Sequence, residues 1–420
     1  MIKSIVMIRN SVLTLSLSLA LVGNGVAQTG KGAAPVRSGV AQTGSGPARI
    51  RRADGLSLDT KTVDGIVKKL MDTAGVTGLC VGIVTDNKVA YVKGYGYKNK
   101  PRGELNDTAT CFYGASLSKA VFAWLVMQLV DEAVIQLDTP LYSYLPEPLP
   151  DYPNYKDLAG DPRWKLITAR HCLDHTTGFP NWRFFNPRGN KKLEIFFTPG
   201  SRYAYSGEGL YLLQMVVEAK TGRSLEELAQ EKIFRRYGMG RTSYLWQPAF
   251  ESNYAVGHTG DGDTIPKNRR TKTNAAGSME TTIADYTRFV AAVMQGAGVS
   301  ARAKQEMLKP QIRIFTKHQF PSLNTDTTDA NRALQLSYGL GWGVFSSSAG
   351  KVFFKEGHDD GWQHYSICFP DKGVAFVFMS NNDNAEHIYK ELTERLAGVE
   401  IPWEWEGYAP YPPGGGKRGG

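Results

Sequence analysis

Between residues 60 and 74 the apolar side chains Val63, Ile66, Val67, Leu70 and Met71 recur at intervals of three and four. That spacing predicts an amphipathic helix with one buried stripe. Residues 77–85 and 88–97 then read as two strands, and the tight polar pair Asp86-Asn87 between them predicts a hairpin. Over residues 116–133 the pattern thickens: Val121, Phe122, Leu125, Val126, Leu129 and Val130 leave few polar faces, so this helix should be buried on most sides. Helical patterns at 169–175, 209–221, 225–237 and 283–295 follow among Pro- and Gly-rich loops. Strand patterns return at 341–346, 351–355, 362–369 and 374–379, before a closing helix over 384–396. Strands from both ends of the body with helices between them predict one sheet and a helical insertion, an α+β layout.

Composition changes this picture mainly at the ends. Lys3 and Arg9, a short apolar run over 11–23 and the small residues Gly25-Val26-Ala27 read as a signal peptide over 1–27. The run is shorter than the ~20 residues a spanning helix needs. Residues 28–55 are Gly-, Ala-, Ser- and Arg-rich, with GVAQTG occurring at both 25–30 and 39–44, and read as a flexible linker. The folded body is expected over 56–402, and 403–420 as an aromatic, Pro- and Gly-rich tail in which Trp403 and Trp405 staple to the body.

The formal charge of +9 raises the question of nucleic acid. Arg37, Arg49, Arg51, Arg52, Lys417 and Arg418 lie in the expected tails, and the body has no basic helix or Lys/Arg run, so no nucleic-acid partner is expected. Cys80, Cys111, Cys172 and Cys368 lie far apart, each within an apolar element. Three pairings are possible in an exporting compartment, but their setting favours buried free thiols. No CxxC or Cys/His spacing suggests zinc. His171 and His175 are one turn apart without a recognisable third ligand, so neither metal nor cofactor is expected.

The sharpest chemical feature is Ser116-Leu117-Ser118-Lys119 at the predicted helix start. Residues three apart share a helix face, so the hydroxyl and amine can meet. Serine needs an adjacent base to become a nucleophile, and a buried lysine can lose its proton to serve as one. The helix N-terminus adds positive potential where charge develops during attack. The S-x-x-K pattern alone is common in helices and carries little weight.

Around it, however, stand further blocks in order: Ile135-Gln136-Leu137-Asp138-Thr139-Pro140, Tyr144-Leu145-Pro146, then Ile167-Thr168-Ala169-Arg170-His171-Cys172-Leu173-Asp174-His175-Thr176-Thr177-Gly178-Phe179-Pro180. Pro199-Gly200, Tyr203-Ala204-Tyr205-Ser206, Ala275-Ala276-Gly277-Ser278-Met279 and Tyr338-Gly339-Leu340-Gly341-Trp342-Gly343 complete the series. Over about 77–382 the chain resembles the β-lactamase and penicillin-binding-protein-like serine hydrolases, in particular the branch of class C β-lactamases, esterases and D-aminopeptidases.

The resemblance implies a β-lactamase/transpeptidase-like fold, an antiparallel sheet flanked by helices with a helical subdomain. It implies a catalytic set of Ser116, Lys119 and Tyr205, the phenol sharing proton transfer with the amine. Two residues after that tyrosine the family usually has an Asn that holds the substrate's acylamino group; here Gly207 stands at that substrate-binding position, followed by Glu208, for which a binding role and a solvent-facing place at the helix start are both open. The third family element, K-[ST]-G or H-x-G on a strand, fits two registers. Lys355-Glu356-Gly357 leaves Gly361-Trp362 at the family's spacing without a gap, whereas His358-Asp359-Asp360 requires a deletion. The ungapped register is preferred, with the N–H groups of Ser116 and His358 as oxyanion hole.

Glu356 then replaces a hydroxyl residue and makes, with Asp359 and Asp360, an acidic edge that disfavours substrate carboxylates. Trp182, Phe184 and Phe185 are candidates for lining an acyl pocket, and His364 for a sheet face. The expected function is acyl transfer to Ser116 and hydrolysis of small esters, amides or peptides, without a cofactor. A β-lactamase or D-Ala carboxypeptidase is an alternative, and a non-catalytic binding or assembly protein of the same fold another. The expected partner is a small-molecule or peptide acyl substrate. The expected location is periplasmic or secreted, with no membrane span after signal cleavage. Oligomeric state is left open.

Overall fold

The computed structural model describes residues 49–406. The expected signal peptide, linker residues 28–48 and the tail beyond residue 406 lie outside the described residues. The described chain opens with paired strands β1 (Arg49–Arg51) and β2 (Ser57–Asp59) and passes into α1 (Thr60–Ala74). Asp59 caps this helix by accepting from the Thr62 N–H, and Gly75 ends it in the left-handed conformation. The predicted hairpin follows as β3 (Gly78–Thr85) and β4 (Lys88–Asn99), turned at Asp86 and Asn87, both at positive φ. After β5 (Glu104–Leu105) and β6 (Cys111–Tyr113) comes α2 (Leu117–Asp131), buried on nearly every face as its composition requires.

The helical insertion carries α3 (Ala169–Leu173), α4 (Gly207–Thr221) and α5 (Leu225–Ala229), which runs on into a π-helical turn over Gln230–Phe234. Two short strands, β7 (Gly257–His258) and β8 (Thr264–Ile265), pair with each other, and β9 (Glu280–Thr282) pairs with β6. Then come α6 (Ile283–Gln295), α7 (Ala301–Leu308), β10 (Ile312–Arg313) and β11 (Ser337–Tyr338). The strands β12 (Gly343–Ser347), β13 (Gly350–Asp359), β14 (Trp362–Phe369) and β15 (Val374–Ser380) precede the closing helix α8 (Glu386–Ala397).

One antiparallel sheet of the order β10-β11-β12-β13-β14-β15-β3-β4-β5 joins the two ends of the body, with β15 against β3. Alternation sorts its side chains between two cores. Leu79, Val81, Ile83, Phe376 and Phe378 face Val63, Val67, Ile388 and Leu392 of α1 and α8. Cys80, Val84, Val377 and Met379 share the other core with α2 and α6. Helix α6 approaches so closely that a Cβ on Gly82 would lie 1.9 Å from Thr287 Oγ1. The α+β layout and antiparallel sheet with a helical insertion are as expected.

The limits of the folded body differ from those expected. Residues 49–55 are not linker: Ile50 and Ala53 are fully buried, and the Ala53 N–H donates to Ala397 O at 2.9 Å. Their single paired strand is too short and Arg-rich to show as a sequence pattern. At the other end Trp405 is buried against Tyr203 and Phe354, which fits a staple and carries the fold past Pro402. Helix α7 was also missed, because only Ala303 and Met307 of its eight residues are buried. No helix among the described residues is long and apolar enough to cross a membrane.

All four cysteines are buried free thiols, and burial raises each thiol's pKa. The native protein should therefore react negligibly with Ellman's reagent, and the unfolded protein should release four equivalents. A lower count after unfolding would show a disulfide.

Candidate active site

The turn before α2 sets the site. Gly114 N donates to Met279 O at 2.7 Å, fixing the end of β6. Ala115 then adopts φ 44°, a left-handed conformation that costs a non-glycine residue about 1–3 kcal/mol. Ser118 Oγ donates to Ala115 O at 2.6 Å and accepts from Met279 N at 3.1 Å, so the strained turn is held from both sides. Ser116 thereby begins α2 with its hydroxyl free of any capping bond.

Lys119, one turn on, is fully enclosed, with Nζ 2.8 Å from Ser116 Oγ and 2.7 Å from Ala276 O. Burial, and then the charge of Lys355, drive its pKa well below that of an ordinary lysine, while Glu356 opposes the shift. Its amine also lies against the rings of Tyr205 and Trp182, 4.9 and 5.7 Å from their centroids. Those faces favour an ammonium and so act against the direction set by burial and by Lys355. Lys119 Nζ thus lies within hydrogen-bond reach of the Ser116 hydroxyl in surroundings that disfavour its protonated form.

Tyr205 enters from the segment before α4, and Lys355 Nζ donates to its Oη at 3.1 Å. The two registers of the third element place different side chains at the site. Lys355 and Gly357 project toward α2, where a Cβ on Gly357 would meet Gly114 O at 2.9 Å; Lys355 is wholly buried beside the phenol. His358 is exposed at the rim, its imidazole 3.8 Å from Glu386. The ungapped register is the one that brings a cation to Tyr205.

A cavity of about 1070 Å³ opens over these groups. Ser116, Lys119, Tyr205, Glu356 and His358 contribute to its wall, along with Trp182, Phe184 and Phe185. Asp359 and Asp360 form the exposed acidic edge. The opposite rim, Phe320 to Asn324, was not foreseen. It is tied down by Arg202, which donates to Leu323 O and Asn324 O, and by Gln319 N to Trp405 O. No local periodicity marks such a loop.

The β-lactamase family model matches residues 63–399. This chain belongs to the β-lactamase family. Among curated relatives, penicillin-binding protein 4 of Amycolatopsis lactamdurans is 23% identical over 73% of this chain and 82% of its own length. The D-alanyl-D-alanine-carboxypeptidase/endopeptidase AmpH of Escherichia coli K12 is 24% identical over 76% and 83%. The fold matches that of the octameric penicillin-binding protein homologue from Pyrococcus abyssi with a TM-score of 0.66, at 20% identity over 82% of this chain and 78% of that one. The protein is accordingly a serine hydrolase of the β-lactamase and penicillin-binding-protein type.

Within that family type, the position of Gly207 is resolved by Trp182. A Cβ on Gly207 would lie 2.4–2.8 Å from three indole carbons, so Trp182, not Gly207, faces the cavity. The indole covers the backbone from which the family's Asn would project. Glu208 does not face solvent. It is buried, and accepts from the N–H and guanidinium of Arg183, which anchors the segment bearing Trp182. Gly207→Asn should overpack this contact and destabilise the protein by about 1–3 kcal/mol. Adding Trp182→Ala should recover most of that loss in the denaturant midpoint; no recovery would mean that another contact sets the glycine.

The histidines take structural places. His171 belongs to the capping box of α3, and no group of three or more His, Cys, Asp or Glu among the described residues could hold a metal. His364 is buried on β14, donating Nε2–H to Tyr113 O at 2.7 Å, and burial lowers its pKa to about 4.

Proposed function

We propose that the enzyme hydrolyses small esters, amides or peptides through a covalent Ser116 acyl-enzyme. The observation that carries this is the 2.8 Å contact between Ser116 Oγ and a buried, pKa-lowered Lys119 at the wall of the cavity. Ser116 Oγ attacks the substrate carbonyl carbon while its proton passes to the neutral Lys119 amine. The carbonyl oxygen becomes an oxyanion facing the backbone N–H groups of Ser116 and His358, two residues that border the cavity. Collapse expels the leaving alcohol or amine, which takes a proton from the Lys119–Tyr205 pair. Water then attacks the acyl ester, regenerating Ser116 and releasing the acid. Lys355, donating to Tyr205 Oη, steadies negative charge on the phenol side of this relay.

The aromatic wall of Trp182, Phe184, Phe185 and Phe320 supports substrates with an apolar portion. The acidic edge of Asp359 and Asp360 supports neutral or cationic compounds over carboxylates. The names of AmpH and penicillin-binding protein 4 support the peptidase alternative, with a D-alanyl terminus as substrate. The leader-like residues 1–27 support a periplasmic or secreted enzyme.

The test is covalent labelling by a fluorophosphonate and by a fluorescent penicillin, alongside turnover of p-nitrophenyl esters and D-amino-acid peptides. Labelling of Ser116 with turnover of esters over penicillin supports the principal reading. Failure of every probe to acylate the folded protein would favour a binding protein that keeps the fold.

A further inference from the structure

Glu356 stands where the family has a hydroxyl residue, and its carboxylate is only half engaged. The side chain is 3% exposed yet belongs to the cavity wall. Oε1 accepts from Lys355 Nζ at 2.7 Å and from Gln319 Nε2 at 3.3 Å. Oε2 is buried without a hydrogen-bond partner among the described residues, and the same holds for Oε1 of Gln319.

The amide orientation of Gln319 is constrained. Its Nε2 serves Glu356 Oε1 and Tyr203 Oη, and flipping it would set two acceptors against each other. Two neighbouring side chains therefore each bury an acceptor with nothing donating to it. Buried polar atoms are nearly always satisfied, and a deprived carboxylate oxygen is especially unfavourable. Of the two residues Glu356 belongs to the cavity wall, and an N–H group from the substrate would supply the donor its Oε2 lacks.

We propose that Glu356 Oε2 forms a subsite for an amine or ammonium group carried by the acyl substrate, with Gln319 behind the cavity wall holding the carboxylate in place through its Oε1. This rests on the acyl-enzyme reading above and adds the substrate class to it. The subsite lies beside Lys355, whose own charge is answered by Glu356 Oε1, so the second oxygen remains for the ligand. The exposed Asp359 and Asp360 draw cations toward the same cavity, a long-range attraction that salt screens. A buried contact is screened far less, which separates the two contributions.

The test compares amino-acid methyl esters, with the amine at varied distance from the carbonyl, against their N-acetylated twins at 0.5 M salt (about 4 Å Debye length). Taking the ratio of kcat/KM within each pair cancels any general damage to catalysis through Lys355. At least one amine should be preferred about tenfold over its twin, the size expected of a charge-assisted hydrogen bond. Glu356→Gln should abolish most of that preference, and Gln319→Leu, which leaves the Lys355–Glu356 pair intact, should reduce it.

The proposal is overturned if the preference is absent, if it vanishes in salt, or if it survives both substitutions. In each of those cases Ser116 would still be acylated. Failure of the acyl-enzyme reading is distinguishable, because no substrate or probe would then label Ser116 at all.

Discussion

Ser116→Ala should abolish covalent labelling and lower kcat by roughly 10⁴–10⁶-fold, the loss typical when a serine nucleophile is removed. The fold should hardly notice. Ser116 makes no side-chain capping bond at the start of α2, and the backbone strain sits at Ala115, which is untouched. Far-ultraviolet circular dichroism and the melting temperature should therefore match the parent closely. The hydroxyl of Ser118, two residues on, is buried and committed to Ala115 O and Met279 N. Persistent labelling of the alanine variant would mean that the nucleophile lies elsewhere and would sink the proposed mechanism.

Lys119→Met should cost about 10²–10⁴-fold in kcat/KM, the span of general-base catalysis, while making the protein more stable at neutral pH. Both effects follow from one shift. The folded-state pKa of Lys119 is driven well below its ordinary value by burial and by Lys355, whereas an unfolded lysine titrates near ~10.4. Between those two pKa values the unfolded chain binds more protons than the folded one, so stability rises with pH across that window. The contribution is complete above the unfolded pKa and is lost as pH falls through the folded pKa.

Methionine removes this linkage and leaves a side chain of similar volume against Trp182 and Tyr205. The stability profile of the variant should therefore be flatter below pH ~10. Activity in the parent should also fall as pH drops through the folded-state pKa, because a protonated amine cannot accept the Ser116 proton. Denaturant midpoints and kcat/KM measured across the same pH range check both. An unchanged stability slope in Lys119→Met would show that the amine is not the deprotonating group.

Much of the protein was readable from local pattern. The stripe in α1, the turn residues Asp86 and Asn87, and the apolar density of α2 announce themselves because each reflects neighbours within a few residues. The Ser116–Lys119 contact is of the same kind, one helical turn set by one peptide geometry. Position 355 was one of two registers left open, preferred because it needs no gap, and the contact of Lys355 with Tyr205 supports that preference.

Contacts between distant segments were not readable in that way. The sequence shows at Gly207 only the absence of a side chain, whereas the fold lays Trp182, from a separate loop, on its backbone. Glu208 looked exposed, yet Arg183 takes it into the interior. Ile50 looked like part of a linker, although the segment around it docks at the end of α8. The partial satisfaction of Glu356 depends on Gln319, 37 positions away in the chain.

The sequence by itself therefore determined that Ser116 and Lys119 meet, and the order of elements that carry them, because these are consequences of helical and strand periodicity and of motif order. Only the tertiary structure decided which charges are buried, which are paired and which acceptors are left open to a substrate. Burial and pairing depend on side chains that meet across the fold, and the dielectric surroundings that shift Lys119 or isolate Glu356 Oε2 exist only once those segments are packed together.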